Sequence, residues 1–250
     1  MDLRARNPLT IFILAASLAP LGCSQLPHSA SRKTGEEAHV LAPGGQAEIQ
    51  TALGRSFESQ GEFSKAEAVY QEAIKRDPKH ADASIRLAIL LDRMGRFAEA
   101  TPHYEAAIKA EPGNADVYCD RGYSLCLQGR DAEAEIALRQ AIVKSPTLAR
   151  AHNNLGLLLG RKARTDEALA EFRKAGCPEV DAHLNLAFAL SESKRWAEAK
   201  IQLQLVKTLG KGTPEILEGT TEIETMIARA EAPLATSRDP NVLQAGDVKK

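Results

Sequence analysis

The sequence predicts an all-α chain built as a solenoid of antiparallel helix pairs, and three observations carry that prediction. Hydrophobic residues make up 44% of the chain but aromatics only 4%. With alanine and leucine abundant, this favours closely packed helices over a pleated sheet, which prefers β-branched and aromatic side chains. The second observation is a series of small residues, Gly54, Ala88, Gly122, Gly156 and Ala187, spaced by 34, 34, 34 and 31. The third is that Ala66, Ala100, Ala134, Ala168 and Ala199 keep the same spacings, and Pro78, Pro112 and Pro146 recur in the same register. A fixed period of this length marks one supersecondary unit stacked on itself.

Each unit can be numbered 1 to 34 from Ala47, Ala81, Ala115, Ala149 and Val180. Small residues at positions 8 and 20 let two antiparallel helices approach closely. A large residue at position 24 (Tyr70, Tyr104, Leu138, Phe172, Leu203) fills the gap between them. Position 7 is occupied by Leu53, Leu87, Arg121, Leu155 and Leu186. Gly61, Gly95 and Gly129 at position 15 supply the turn, where a positive φ suits glycine. Ala163 and Lys194 stand there in the last two units. The proline at position 32 ends the second helix because it lacks an N–H and disfavours helix in the residue before it. Pro102, inside a second helix, predicts a local adjustment and not a break.

This pattern resembles the tetratricopeptide-repeat (TPR) family. The resemblance implies a right-handed superhelix of about five helix-turn-helix repeats, at 47–80, 81–114, 115–148, 149–179 and 180–213. The fourth is three residues short, because its second helix runs into Gly176-Cys177-Pro178. After Pro214, the apolar residues Ile216, Leu217, Ile223, Met226 and Ile227 fall near helical spacing. Residues 214–231 are therefore expected to form a helix capping the last apolar face, with a disordered tail over 232–250.

The N-terminal segment reads as an address. Arg4 and Arg6 precede an apolar run from Leu9 to Gly22, shorter than the roughly 20 residues a membrane span needs. A basic start, a short apolar middle and small residues describe a secretory signal over 1–22. The run ends in Leu21-Gly22-Cys23-Ser24, which resembles a bacterial lipobox, although Pro20 stands where such boxes usually place leucine. The resemblance implies cleavage before Cys23, lipid on Cys23, and a periplasm-facing protein anchored at the outer membrane. Secretion to the periplasm without lipid is the alternative. Residues 23–46, rich in Ser, Pro, Gly and mixed charge, read as a flexible tether.

In the family, positions 2, 5, 6, 9, 12 and 13 of the first helices line a concave groove that holds peptide or helical segments. By position, the resemblance implies Arg86, Ile89 and Arg93 in repeat 2, and Tyr123 beside Cys119, Asp120 and Cys126 in repeat 3. It implies Arg150, Asn154 and Leu157 in repeat 4, and Asn185 and Phe188 in repeat 5. Asn154 and Asn185 share position 6. An amide both donates and accepts, so the pair can hold a guest backbone or simply tie neighbouring turns together.

Other functions are disfavoured on the residues. Lys+Arg is 32 against Asp+Glu 33, interleaved along the chain, which leaves no basic footprint for nucleic acid. Cys119 and Cys126 lie seven apart in one helix, about 10 Å by helix rise, too far for a disulfide; buried thiols are the expectation. His152 and His183 share position 4, a packing position, and no cysteine/histidine spacing calls for a metal. No nucleophile triad, phosphate loop or dinucleotide fingerprint appears, so no catalysis, cofactor or small-molecule substrate is expected. The arginine, lysine and asparagine pattern with which some TPR domains clamp acidic chaperone tails is also missing. The segments AHNNLGLLLG and DAHLNLAFALSESKRWAEA, with the short fourth repeat, resemble the TPR lipoproteins of tight-adherence (Tad/Flp) pilus systems. The function expected is a protein-binding scaffold of the cell envelope, possible roles lying in pilus or secretion assembly. An accessory subunit of a cell-wall enzyme and a self-assembling structural protein are the alternatives.

Overall fold

A computed structural model of the chain describes residues 43–209 and 213–232. All of these belong to one compact unit, Leu41–Lys250. The expected signal, the lipid site at Cys23, most of the tether and nearly all of the tail lie outside the described residues. Among the described residues there are eleven α-helices and no strand. In chain order they are α1 Pro43–Ser59, α2 Phe63–Arg76, α3 Ala81–Arg93, α4 Phe97–Ala110, α5 Ala115–Leu127, α6 Asp131–Lys144, α7 Ala149–Arg161, α8 Thr165–Lys174, α9 Glu179–Glu192, α10 Trp196–Leu209 and α11 Pro214–Glu231. The odd helices α1 to α9 are the first helices of the five repeats and the even ones the second. Each first helix packs on its own second helix and on the next first helix. This is the TPR-type solenoid the periodicity predicts.

The pairing rests on volume exclusion. A Cβ added to Gly156 of α7 would lie 2.7 Å from Cε1 of Phe172 in α8, so only glycine lets that ring seat against the helix. Ala66, Ala100, Ala134, Ala168 and Ala199 are all fully buried, as are Tyr70, Leu138 and Phe172. The turns repeat one hydrogen bond: Glu62, Arg96, Arg130, Arg164 and Arg195 each donate N–H to the carbonyl five residues earlier. That bond closes a left-handed residue, with φ of 75° at Gly61, 56° at Ala163 and 61° at Lys194. Repeats 4 and 5 thus keep the geometry without the glycine that makes it cheap. Helix α4 runs uninterrupted through Pro102.

The two ends of the stack add detail. Helix α1 starts at Pro43, so the last four residues assigned to the tether are its first turn; proline at a helix start sacrifices an N–H that would be unpaired anyway. Leu53, at a position buried in repeats 2, 4 and 5, is 42% exposed, and Ile49 is 55% exposed. No repeat precedes α1 to cover them among the described residues. At the other end α11 forms as predicted, with Thr213 accepting a hydrogen bond from the Ile216 N–H. Its buried face is Ile216, Thr220, Ile223 and Ile227, while Leu217 points outward at 60% exposure. Gly219 lies against Leu184, so α11 rides on α9 as the first helix of a sixth repeat would.

Candidate functional site

The face built by α3, α5, α7 and α9 carries every groove residue the sequence points to. Its polar groups interlock from repeat to repeat. Arg55 of α1 meets Asp82 of α3 at 3.3 Å, and Arg86 meets the same carboxylate at 3.5 Å. Arg150 of α7 reaches back to α5, with Nη2 on Asp116 at 2.7 Å and Nη1 on Asp120 at 2.6 Å. Arg93 pairs with Glu58 at 3.2 Å and lies over the Phe63 ring. Arg161 reaches Asp131 at 3.2 Å. The Arg55 and Arg150 contacts join positions 2, 6 and 9 of successive first helices, Arg93–Glu58 joins positions 13 and 12, and Arg161 reaches the start of second helix α6.

The apolar row on the floor of this face is Ile89, Tyr123 and Leu157, each half-buried. Phe188 continues the row in register but is only 3% exposed. It therefore offers little surface to a guest, and one turn before it Leu184 lies against Gly219 of α11. Beside the row lies a ladder of amides. Asn154 donates to Sγ of Cys119 at 3.6 Å, and Asn185 to Oδ1 of Asn153 at 3.5 Å. The amide–amide contact is long and a thiol is a weak acceptor, so the amides tie adjacent helices weakly and keep unused donor and acceptor capacity.

Burial tunes the charged groups. Asp120 is raised to about 6 by desolvation, with Arg150 pulling the other way. Burial also raises the thiols of Cys119, to about 12, and Cys126, to about 11. Both cysteines therefore behave as packing thiols at neutral pH. Asp92, a groove candidate by position, is instead buried. It accepts from Tyr104 Oη at 2.7 Å and Ser124 Oγ at 2.9 Å, stitching α3 to α4 and α5. Burial raises its carboxyl against those two hydrogen bonds.

The two position-4 histidines pack on their own second helices. Nδ1 of His152 lies 2.6 Å from Glu171 and its Nε2 2.9 Å from the Pro146 carbonyl. Nδ1 of His183 lies 2.7 Å from Gln202. Among the described residues no group of three or more His, Cys, Asp or Glu side chains could hold a metal, and no helix is long and apolar enough to cross a membrane. Asp82, Asp116 and Asp181 also stand at position 2, the position that points to Arg150, so the period alone places all three on this face.

Comparison with known proteins matches this architecture. The family described as tetratricopeptide repeat matches residues 51–100 and 85–149 with one profile and 149–175 with another. No curated protein matches the chain in sequence. Among solved structures, PilF of Pseudomonas aeruginosa is similar with a TM-score of 0.55 and 21% identity, covering 76% of this chain and 93% of that one. PilW, described as a widely conserved type IV pilus biogenesis factor, gives 0.58 and 19%, covering 74% and 87%. YrrB, described as a TPR protein with an unusual peptide-binding site, gives 0.50 and 20%, covering 74% and 91%. At these identities the likeness establishes the fold.

Proposed function

Because this chain belongs to the tetratricopeptide repeat family, we propose that it is a non-catalytic scaffold holding a segment of another protein against its first-helix face. The observation that carries the reading is the partly exposed apolar row Ile89, Tyr123 and Leu157, bordered by amides with spare hydrogen-bonding capacity. Interior first-helix positions such as Leu87, Leu155 and Leu186 are fully buried, whereas the row keeps part of its apolar surface open to a guest. A guest gains about 25 cal/mol for each Å² of apolar surface covered. Each net hydrogen bond to an amide adds about 0.5–1.5 kcal/mol.

We further propose the setting the sequence implies: a bacterial envelope protein, lipid-anchored through Cys23 and facing the periplasm, acting in pilus or secretion assembly. The short fourth repeat and the segments resembling tight-adherence lipoproteins support it. The role of PilW as a type IV pilus biogenesis factor is compatible with it. Labelling with an alkyne fatty acid, with and without Cys23→Ser, tests the anchor; label that persists in the variant overturns it. Leu157→Glu tests the groove. It should abolish recovery of a partner crosslinked in membranes while the helical signal stays intact, and undiminished recovery would refute the groove reading. A second reading, self-assembly through the outer face, draws on Ile136 and Val143 of α6, exposed by 60% and 77% beside Tyr118. A crosslinked ladder of this chain alone would favour it.

A further inference from the structure

Position 2 is acidic in four of the five first helices. Asp82 holds Arg55 and Arg86, and Asp116 holds Arg150, whereas exposed Glu48 and half-buried Asp181 form no ion pair among the described residues. In α9 the position-2 residue is Asp181, half-buried in the first turn. The residues that register with it on α7, at positions 5, 6 and 9, are Asn153, Asn154 and Leu157, all neutral. Among the described residues no cationic side chain forms an ion pair with Asp181. Burial raises its carboxyl, and no nearby cation offsets that. Glu179, exposed in the same turn, already supplies the negative charge that a helix start favours, so Asp181 is not needed for that purpose.

The cations of the floor are committed elsewhere. Arg55, Arg86, Arg93, Arg150 and Arg161 each hold a carboxylate of this chain. An acidic guest would have to break one of these pairs to find a counter-charge. A basic guest finds one waiting. We propose that the groove takes a segment whose apolar side chains cover Ile89, Tyr123 and Leu157 and whose lysine or arginine side chain pairs with Asp181. This rests on the groove reading of the preceding section and adds the charge and placement of the guest. A charge-assisted hydrogen bond to a half-buried carboxylate sharpens specificity by leaving a neutral or acidic competitor facing an unpaired, desolvated group.

A random dodecapeptide display library, panned on the full chain and on three variants, tests it. Circular dichroism first checks that each variant is helical. The wild type should enrich peptides with spaced apolar residues and a basic residue at one offset. Asp181→Asn should keep the apolar pattern and lose the basic one, and Asp181→Glu should restore it. For an N-acetylated synthetic winner, replacing its lysine with glutamine should weaken binding about five- to tenfold on the wild type and leave it nearly unchanged on Asp181→Asn. Leu157→Glu should enrich none of these peptides. Wild-type winners without a basic position, or a basic preference that survives Asp181→Asn, overturn the charge assignment while the groove reading stands. A response to Asp181→Asn seen only with unacetylated peptide places a chain terminus there and overturns the side-chain assignment. Equal enrichment on Leu157→Glu and wild type, or none on either, sinks the groove reading and this proposal with it.

Discussion

Replacing Arg150 with alanine should destabilise the fold by an amount that depends on pH. Its guanidinium bridges two carboxylates of α5, and the two differ. The Asp116 side chain is 60% exposed and that of Asp120 only 12%. The exposed pair contributes less than about 1 kcal/mol. Losing the other partner strands a buried carboxylate. Broken buried pairs cost about 3–5 kcal/mol, and the half-exposed guanidinium puts this one near about 3. Burial raises Asp120 from 3.8 to about 6 even with Arg150 opposing it. Its folded pKa therefore lies above its unfolded one. The folded state holds the proton more tightly, so this group favours folding most at low pH. That contribution declines as pH rises through about 6. Without Arg150 the opposing pull is gone, and the decline extends to higher pH. The deficit of Arg150→Ala should thus be small near pH 4 and full near pH 8. Urea denaturation followed by circular dichroism at several pH values reads this directly. Asp120→Asn in the same background should remove most of the pH dependence. A deficit that is flat with pH, or below about 1 kcal/mol at pH 8, would refute the reasoning and leave Arg150 an ordinary surface residue.

Further outcomes follow from particular contacts. Ala163→Gly and Lys194→Gly should each stabilise by about 1 kcal/mol, because both residues hold a left-handed backbone; calorimetry should show a rise of about 2–4 °C for each. Gly156→Ala should destabilise by about 1–3 kcal/mol through its clash with Phe172, with part of the loss recovered in chemical denaturation when Phe172→Leu is added. Replacing Asn154 and Asn185 together by alanine should leave thermal stability within about 1 kcal/mol, since their present contacts are weak. The same double variant should weaken partner binding, as read by titration calorimetry.

The period was legible because it is enforced by volume. A glycine or alanine opposite a ring or leucine must recur wherever two helices touch, so Gly156 and Phe172 announce each other in the sequence. The cap is legible for the same reason, with one member of its buried face differing from expectation. Leu217 looked like core, but Thr220 takes the buried place because the stripe continues positions 3, 7 and 10 of the preceding repeats. Roles that depend on a partner elsewhere in the chain were harder to read. Asp92 stands at a groove position, and only the hydroxyls of Tyr104 and Ser124, one 12 and the other 32 residues on, draw it inside. Arg150 stands at a groove position and also ties α7 to α5; the acids 34 and 30 residues earlier carry that signal. Phe188 fits the binding pattern by position, yet it is only 3% exposed.

Placing a photo-crosslinking amino acid in the living cell at Leu157 on the first-helix face, and separately at Val143 on the outer face, tests the central claim most directly. A discrete adduct with another protein from position 157, and none from position 143, is the result this account predicts. Adducts from position 143 with none from position 157 would show that the protein works through its other surface.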